Sequence, residues 1–366
     1  MKITKPTMIV NEKKVRNNIA NMLEKAHRSD VLFRPHFKTH QSADIGKWFL
    51  DLGVEAITVS SVSMAEYFAE NGWDNITVAF PVNINQIEQI NSLAQKIQLG
   101  LLVESHETVA FLIEHLTSKV NIWIKIDTGY HRTGLDWNDE GKISKLIREI
   151  KHSDKMHFLG LLVHAGHSYA TKSTCEISDI YEDTLLKLKN IQERLFLQGF
   201  AHVKLSIGDT PSCSVIDDFS GVDEIRPGNF VFYDIMQLHL GSCKEENIAA
   251  AVACPVVATH PERNEIVIYG GAIHLSKDHL VNDDGTKNYG LIALSEGNEW
   301  GKIIPDVFVS SVSQEHGIIK ANEELINKIK IGDIIYVLPI HSCLSANLLK
   351  KYYTLEGKEL LFNNKC

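Results

Sequence analysis

The chain has 366 residues, enough for about two domains and for a buried core that needs no disulfide or metal staple. Its composition, 44% hydrophobic and 23% charged, excludes the disordered and low-complexity classes. With 37 Lys and Arg against 46 Asp and Glu, the net charge of −9 argues against a nucleic-acid partner or an anionic membrane surface, while leaving room for a local cationic pocket.

From the N-terminus, Thr7–Val10 reads as an extended segment ahead of a first helix. From Val31 to Phe230 one unit then recurs: a short apolar run ends in polar residues and an amphipathic stretch follows. The predicted strands are Leu32–Phe37, Ala56–Ser60, Ile76–Phe80, Gln98–Val103, Asn121–Ile126, Phe158–Val163, Val203–Ile207 and Asp223–Arg226. Between them, Ser63 is expected to cap a helix over Met64–Glu70, and Ser105 one over His106–Leu116. Ser173–Gln198 carries Ile177, Ile180, Leu185, Leu188, Ile191 and Leu195 close to one helical stripe. Eight strand–helix units predict an α/β fold of the (β/α)8 barrel type over 11–240. A doubly wound open sheet is the alternative, but no G-x-G-x-x-G follows the first strand. After about Leu240 the texture becomes β-rich, through Ala249–Thr259, Glu265–Gly270, Val307–Gln314 and Ile334–Leu338. This predicts a C-terminal all-β domain over 241–366, to which residues 1–10 add a strand.

No apolar run approaches the roughly 18 residues of a membrane-spanning helix. The N-terminus has no apolar core of a secretory signal, so a cytoplasmic protein is expected. The six cysteines (Cys175, Cys213, Cys243, Cys254, Cys343 and Cys366) form no C-x-x-C pair and read as reduced thiols.

Barrel chemistry sits at the C-terminal ends of the strands, and the polar motifs fall there. The first strand ends in Arg34-Pro35-His36-Phe37-Lys38-Thr39-His40. An amine crowded by cations and partly desolvated gives up its proton readily, which makes Lys38 a candidate nucleophile; a solvated surface lysine is the plain alternative. Asp127 and Arg132 flank a glycine-containing turn, as an ion pair or with Arg132 buried against a bound acceptor. Gly208-Asp209-Thr210-Pro211-Ser212 and Gly228-Asn229 follow the seventh and eighth strands, where barrels commonly hold a phosphate. His341-Ser342-Cys343 places an imidazole and a thiol two residues apart, on one face if the segment is extended. That donor pair favours zinc and leaves open positions; a core cysteine beside a packed histidine is the alternative. A hydrolytic metal site built from His36, His40, His164 and His167 is a further reading.

Taken together, R-P-H-x-K-T-H, H-A-G-H-S-Y, S-I-G-D-T-P-S, E-I-R-P-G-N-F-V-F-Y-D and P-x-H-S-C resemble the D-threonine aldolase/D-serine dehydratase family, pyridoxal-phosphate (PLP) enzymes related to alanine racemase. The similarity runs from about Thr7 to Leu348, with the motifs in family order. It implies an alanine-racemase-like barrel with a C-terminal β-domain, as a homodimer. It also implies PLP on Lys38, with its phosphate on Gly208, Thr210, Gly228 and Asn229, and Arg132 near its ring oxygen. Tyr169 or Arg226 would face the pyridine nitrogen, Tyr169 being preferred, and Tyr233 and Asp234 would line the pocket. Aldolases of this family tend to carry His-x-Asp and dehydratases His-x-Cys with zinc. His341 and Cys343 therefore point to β-elimination of a small D-3-hydroxy amino acid such as D-serine. Retro-aldol cleavage, racemisation and PLP carriage without turnover rank below it.

Overall fold

The computed structural model describes residues 2–363; Cys366 lies outside them. The chain divides into two compact units, one of residues 20–38 and 49–228, the other of 2–19, 39–48 and 229–363.

The first unit holds the barrel. Its strands are Leu32–Phe33, Ile57–Val59, Asn75–Pro81, Gln98–Val103, Val120–Asp127, Met156–Leu162, Lys204–Ile207 and Glu224–Ile225. Each pairs in parallel with its neighbour in this order, and the eighth pairs with the first. A parallel bridge between His36 and Thr58 joins the first strand's extension to the second and closes the cylinder, which excludes the open doubly wound sheet. Leu102, Trp123 and Leu162, from three adjacent strands, pack together in a fully buried cluster. The long helix spans Thr174–Leu197 with Ser173 as its cap, and Ile177, Leu188, Ile191 and Leu195 are buried. Ser105 caps His106–His115 as expected. The cap at Ser63 is corrected: Ser61 accepts from the Met64 N–H and the helix begins at Val62. Ser61 takes that place because its extended backbone precedes the first turn.

Inside the barrel, Arg34 Nε donates to Glu224 at 2.8 Å and its Nη1 to Asn75 Oδ1 at 2.8 Å. Glu224 also accepts from Ser206 Oγ at 2.6 Å. Removing one partner of a buried ion pair costs about 3–5 kcal/mol. Glu224→Gln, which strands the Arg34 charge, should lower the unfolding free energy in urea by an amount of that order.

The second unit carries a six-stranded antiparallel barrel. Its order is Glu265–Tyr269, His316–Lys320, Glu299–Val312, Gly290–Glu296, Ile334–Pro339 and Ala250–His260, the last pairing back onto the first. Val252/Cys254/Val256, Ile266/Ile268, Val307/Val309 and Ile335/Val337 fill its core at the strand period of two. Thr7–Val10 joins as a strand, antiparallel to Ala250–Ala253 and parallel to Tyr352–Thr354. The expected C-terminal β-domain is thus a β-barrel, with short helices in its connections at Ala272–Leu275, Glu323–Lys328 and Ser342–Leu349.

Segments 39–48 and 229–240 belong with this β-rich unit, a division that departs from the boundary read at 240/241. Backbone bonds explain it: Met236 N donates to Ile340 O at 3.2 Å, Ala249 N to Phe232 O at 2.7 Å, and Asn363 N to Gln41 O at 2.7 Å. No helix among the described residues is long and apolar enough to cross a membrane, and none of their cysteines is in a disulfide.

Candidate active site

Lys38 follows an anchored strand end. The Phe37 ring is fully buried, with ring centroids 4.8 Å from Phe49, 4.9 Å from Phe68 and 5.0 Å from Trp73. Its N–H donates to Thr58 O at 2.8 Å, and the His36 N–H to Pro227 O at 2.8 Å. The Lys38 side chain is exposed at this fixed point, and its backbone N–H donates to His36 Nδ1 at 3.3 Å.

The groups facing one another at this end of the first unit are cationic. Burial, with Lys38, Arg226, His164 and Arg132 nearby, holds the His36 imidazole neutral, well below its usual pKa. His164 is held down in the same way, by burial first. Its Nδ1 lies 2.7 Å from Gly208 O, which can only accept, so Nδ1 carries the proton and Nε2 keeps its lone pair. The pKa of Lys125 is lowered to about 7 by burial and by Arg226 and Arg132; its ammonium donates to Ile126 O at 2.9 Å. Sequence reasoning missed Lys125. Its place in an apolar strand run, Ile122–Ile126, was the available signal, because such a strand buries every side chain.

Arg226 is fully buried. Its Nε donates to Ser206 Oγ at 2.6 Å and its Nη2 to Val163 O and Ser206 O, and burial lowers its pKa to about 10. Asp127 does not pair with Arg132. Its Oδ1 accepts the N–H groups of Gly129, Tyr130 and His131 at 2.9–3.1 Å, and its Oδ2 meets His131 Nδ1 at 3.0 Å. Arg132 is exposed rather than buried and lies over the Tyr130 ring, 5.1 Å from its centroid. That ring occupies the space a Cβ on Gly166 would need, which explains the glycine in His164-Ala165-Gly166-His167.

The two predicted phosphate loops meet. Gly228 N donates to Thr210 Oγ1 at 3.3 Å, and Thr210 N donates to Tyr169 Oη at 3.2 Å. A Cβ on Gly208 would fall 2.7 Å from Arg226 Cβ, so only glycine permits this approach. Asp209 Oδ1 accepts from Ser212 N and from Ser168 Oγ, both at 2.8 Å. The Ser212 hydroxyl is buried beside them with no protein partner, as is Asp209 Oδ2. The buried Ser212 hydroxyl and the close glycine-bounded approach of the two loops fit the phosphate of PLP.

The other predicted residues lie in the second unit. Tyr233 is buried with φ +49°, and Asn229 and Asp234 precede and follow it. Asp234 Oδ2 accepts from Asn229 Nδ2 at 2.6 Å, from Ser342 N at 2.9 Å and from Ser342 Oγ at 3.2 Å. This fixes the His341-Ser342-Cys343 corner. The extended geometry assumed for that motif is corrected: only His341 is extended, while Ser342 and Cys343 open the helix Ser342–Leu349. Thr39 Oγ1 lies 3.2 Å from Cys343 Sγ, and Asn229 Nδ2 donates to that sulfur at 3.6 Å. Burial disfavours the charged His341 ring, but hydrogen bonding to Cys343, the charges of Cys343 and Asp234, and a hydrogen bond to Asp278 outweigh it and raise its pKa to about 10. Once deprotonated, an imidazole and a cysteine sulfur side by side are a donor set that fits zinc.

Among the described residues no group of three or more His, Cys, Asp or Glu is arranged to hold a metal. Three of the four histidines of the hydrolytic reading have separate partners: His164 Nδ1 engages Gly208 O, His40 Nδ1 accepts from Ser42 N at 3.1 Å, and His36 Nδ1 accepts from Lys38 N at 3.3 Å.

Residues 249–355 match a putative serine dehydratase domain. Over 98% of its length the chain is 29% identical to the D-serine dehydratase of Dictyostelium discoideum, covering 95% of that protein. It is 25% identical to the D-threo-3-hydroxyaspartate dehydratase of Delftia sp. (strain HT23), over 96% of this chain and 93% of the other. The solved structure of that dehydratase superposes with a TM-score of 0.89 at 25% identity, covering 98% of this chain and 97% of that one. Residues 10–235, most of the chain and all eight barrel strands, match the alanine racemase N-terminal domain, and the chain belongs to that family.

Proposed function

We propose that this chain is a PLP- and metal-dependent lyase that converts D-serine to pyruvate and ammonia. The observation that carries the reading is the His341–Cys343 corner, held by Asp234, in a chain matched nearly end to end by D-serine dehydratases. When bound, PLP supplies an electron sink for the charge left at Cα, and the metal supplies Lewis acidity at the substrate hydroxyl. Lys38 holds the cofactor and then moves the α-proton. Neutral His36 and His164 beside it keep the surroundings from adding further positive charge. Thr210, Gly228 and Asn229, with the Gly208 turn, hold the phosphate. Arg132 faces the ring oxygen, and Tyr233 lines the cofactor pocket.

Tyr169 is the residue for the pyridine nitrogen. Its hydroxyl oxygen accepts from Thr210 N beside the Gly208 turn, whereas Arg226 is buried with its Nε and Nη2 donating to Ser206 and Val163. His341 and Cys343 hold the metal, and zinc is the ion their chemistry favours. The reading includes a cytoplasmic homodimer.

The test is to supply D-serine, D-threonine and D-threo-3-hydroxyaspartate separately and to assay oxo acids, ammonia, glycine and the chirality of recovered substrate. Pyruvate with equimolar ammonia from D-serine is expected. Glycine and an aldehyde without oxo acid would replace the reading with an aldolase, and L-serine without oxo acid with a racemase.

A further inference from the structure

We infer that Asp278 is a positioning residue for the metal held by His341 and Cys343: it decides which imidazole nitrogen is offered to the ion. The inference rests on the metal reading above. Asp278 Oδ2 lies 3.0 Å from His341 Nδ1. A carboxylate only accepts, so Nδ1 keeps its proton toward Asp278, and Nε2 is the nitrogen that would give up its proton to a metal. A ligand imidazole whose second nitrogen donates to a carboxylate is fixed in ring orientation and made more basic.

The segment that brings Asp278 to this point is constructed for it. Ser276, two residues before, is buried and has φ +71° and ψ −178°, a conformation that non-glycine residues rarely adopt. Such strain persists only where the surroundings impose it. The Ser276 hydroxyl accepts the Asp278 N–H at 3.1 Å, which orients the carboxylate-bearing residue. The short helix just before, Ala272–Leu275, is tied to the motif's own helix, since Ser345 Oγ donates to Leu275 O at 3.3 Å. A strained turn, a local bond and a helix-to-helix bond thus converge on one contact with His341. Asp234 acts elsewhere in the motif, because its buried carboxylate holds the Ser342 backbone and hydroxyl.

The test measures Zn²⁺ affinity of the purified PLP-loaded protein by competition with a chelator of known affinity. Asp278→Ala should weaken Zn²⁺ binding about 10–100-fold. Asp278→Asn, which keeps an acceptor oxygen, should fall between it and the native protein. The visible absorbance of bound PLP and the unfolding midpoint of the chelator-treated protein should not change in either variant. With Co²⁺ in place of zinc, the ligand-field bands should shift in Asp278→Ala. Native Zn²⁺ affinity in Asp278→Ala, while His341→Ala loses the ion, would overturn the inference alone. A lowered unfolding midpoint of the metal-stripped variants, with native affinity, would assign Asp278 a structural role instead. Retention of Zn²⁺ by His341→Ala would overturn the metal reading and this inference with it.

Discussion

Lys38→Ala loses D-serine elimination by at least about 10³-fold, because one amine serves as both covalent anchor and proton-transfer group. The same variant loses the visible absorbance that PLP acquires on a lysine. Its fold should persist. The replaced side chain is exposed, and the aromatic packing that fixes this strand end belongs to Phe37, so the stability change should stay within about 0.5 kcal/mol. Absorbance, turnover and urea unfolding of the same preparation separate a lost nucleophile from a lost fold. A visible PLP band in Lys38→Ala would place the cofactor on another amine. Lys125, with its pKa near 7, is then the lysine to replace next.

Cys343→Ala, or exhaustive chelation of the native protein, gives the second large loss. A metal at a reacting oxygen contributes several kcal/mol, and each 1.36 kcal/mol is tenfold in rate, so turnover falls by about 10²–10⁴-fold. The PLP absorbance survives, since Lys38 is untouched. Added Zn²⁺ restores the chelated native protein and leaves Cys343→Ala inactive, because only the former still carries the sulfur ligand. Full turnover by a protein shown by elemental analysis to be metal-free would remove the metal from the reaction.

Much of this was legible in the sequence because it is local. A strand exposes its polar end residues to the barrel mouth whatever its neighbours are, so Arg34–His40, Asp127–Gly134 and Gly208–Ser212 could be read from where apolar runs stop. The stripe of Ile177, Leu188, Ile191 and Leu195 identified a long helix. The choice of His341 and Cys343 also needed only donor chemistry and spacing. What stayed hidden was set by distance along the chain. The contact between His341 and Asp278 spans 63 residues, and that between Cys343 and Thr39 spans 304. Asp127 gave a subtler miss. An ion pair with Arg132 is what charge and spacing suggest, yet three backbone N–H groups and His131 claim the carboxylate first.

The sequence by itself determined the repeating strand–helix order, the β-rich second part, the cationic strand ends and the His-x-Cys donor pair. Periodicity and residue chemistry are properties of neighbours in the chain. Only the tertiary structure decided how those residues are used. It closed the sheet through His36 and Thr58, drew 39–48 and 229–240 into the β-rich unit, and buried Lys125 and Arg226 among other cations. It also moved Cys343 from an extended face to the start of a helix. These outcomes depend on which distant groups satisfy a buried polar atom, and a buried donor or acceptor takes the partner that packing brings to it.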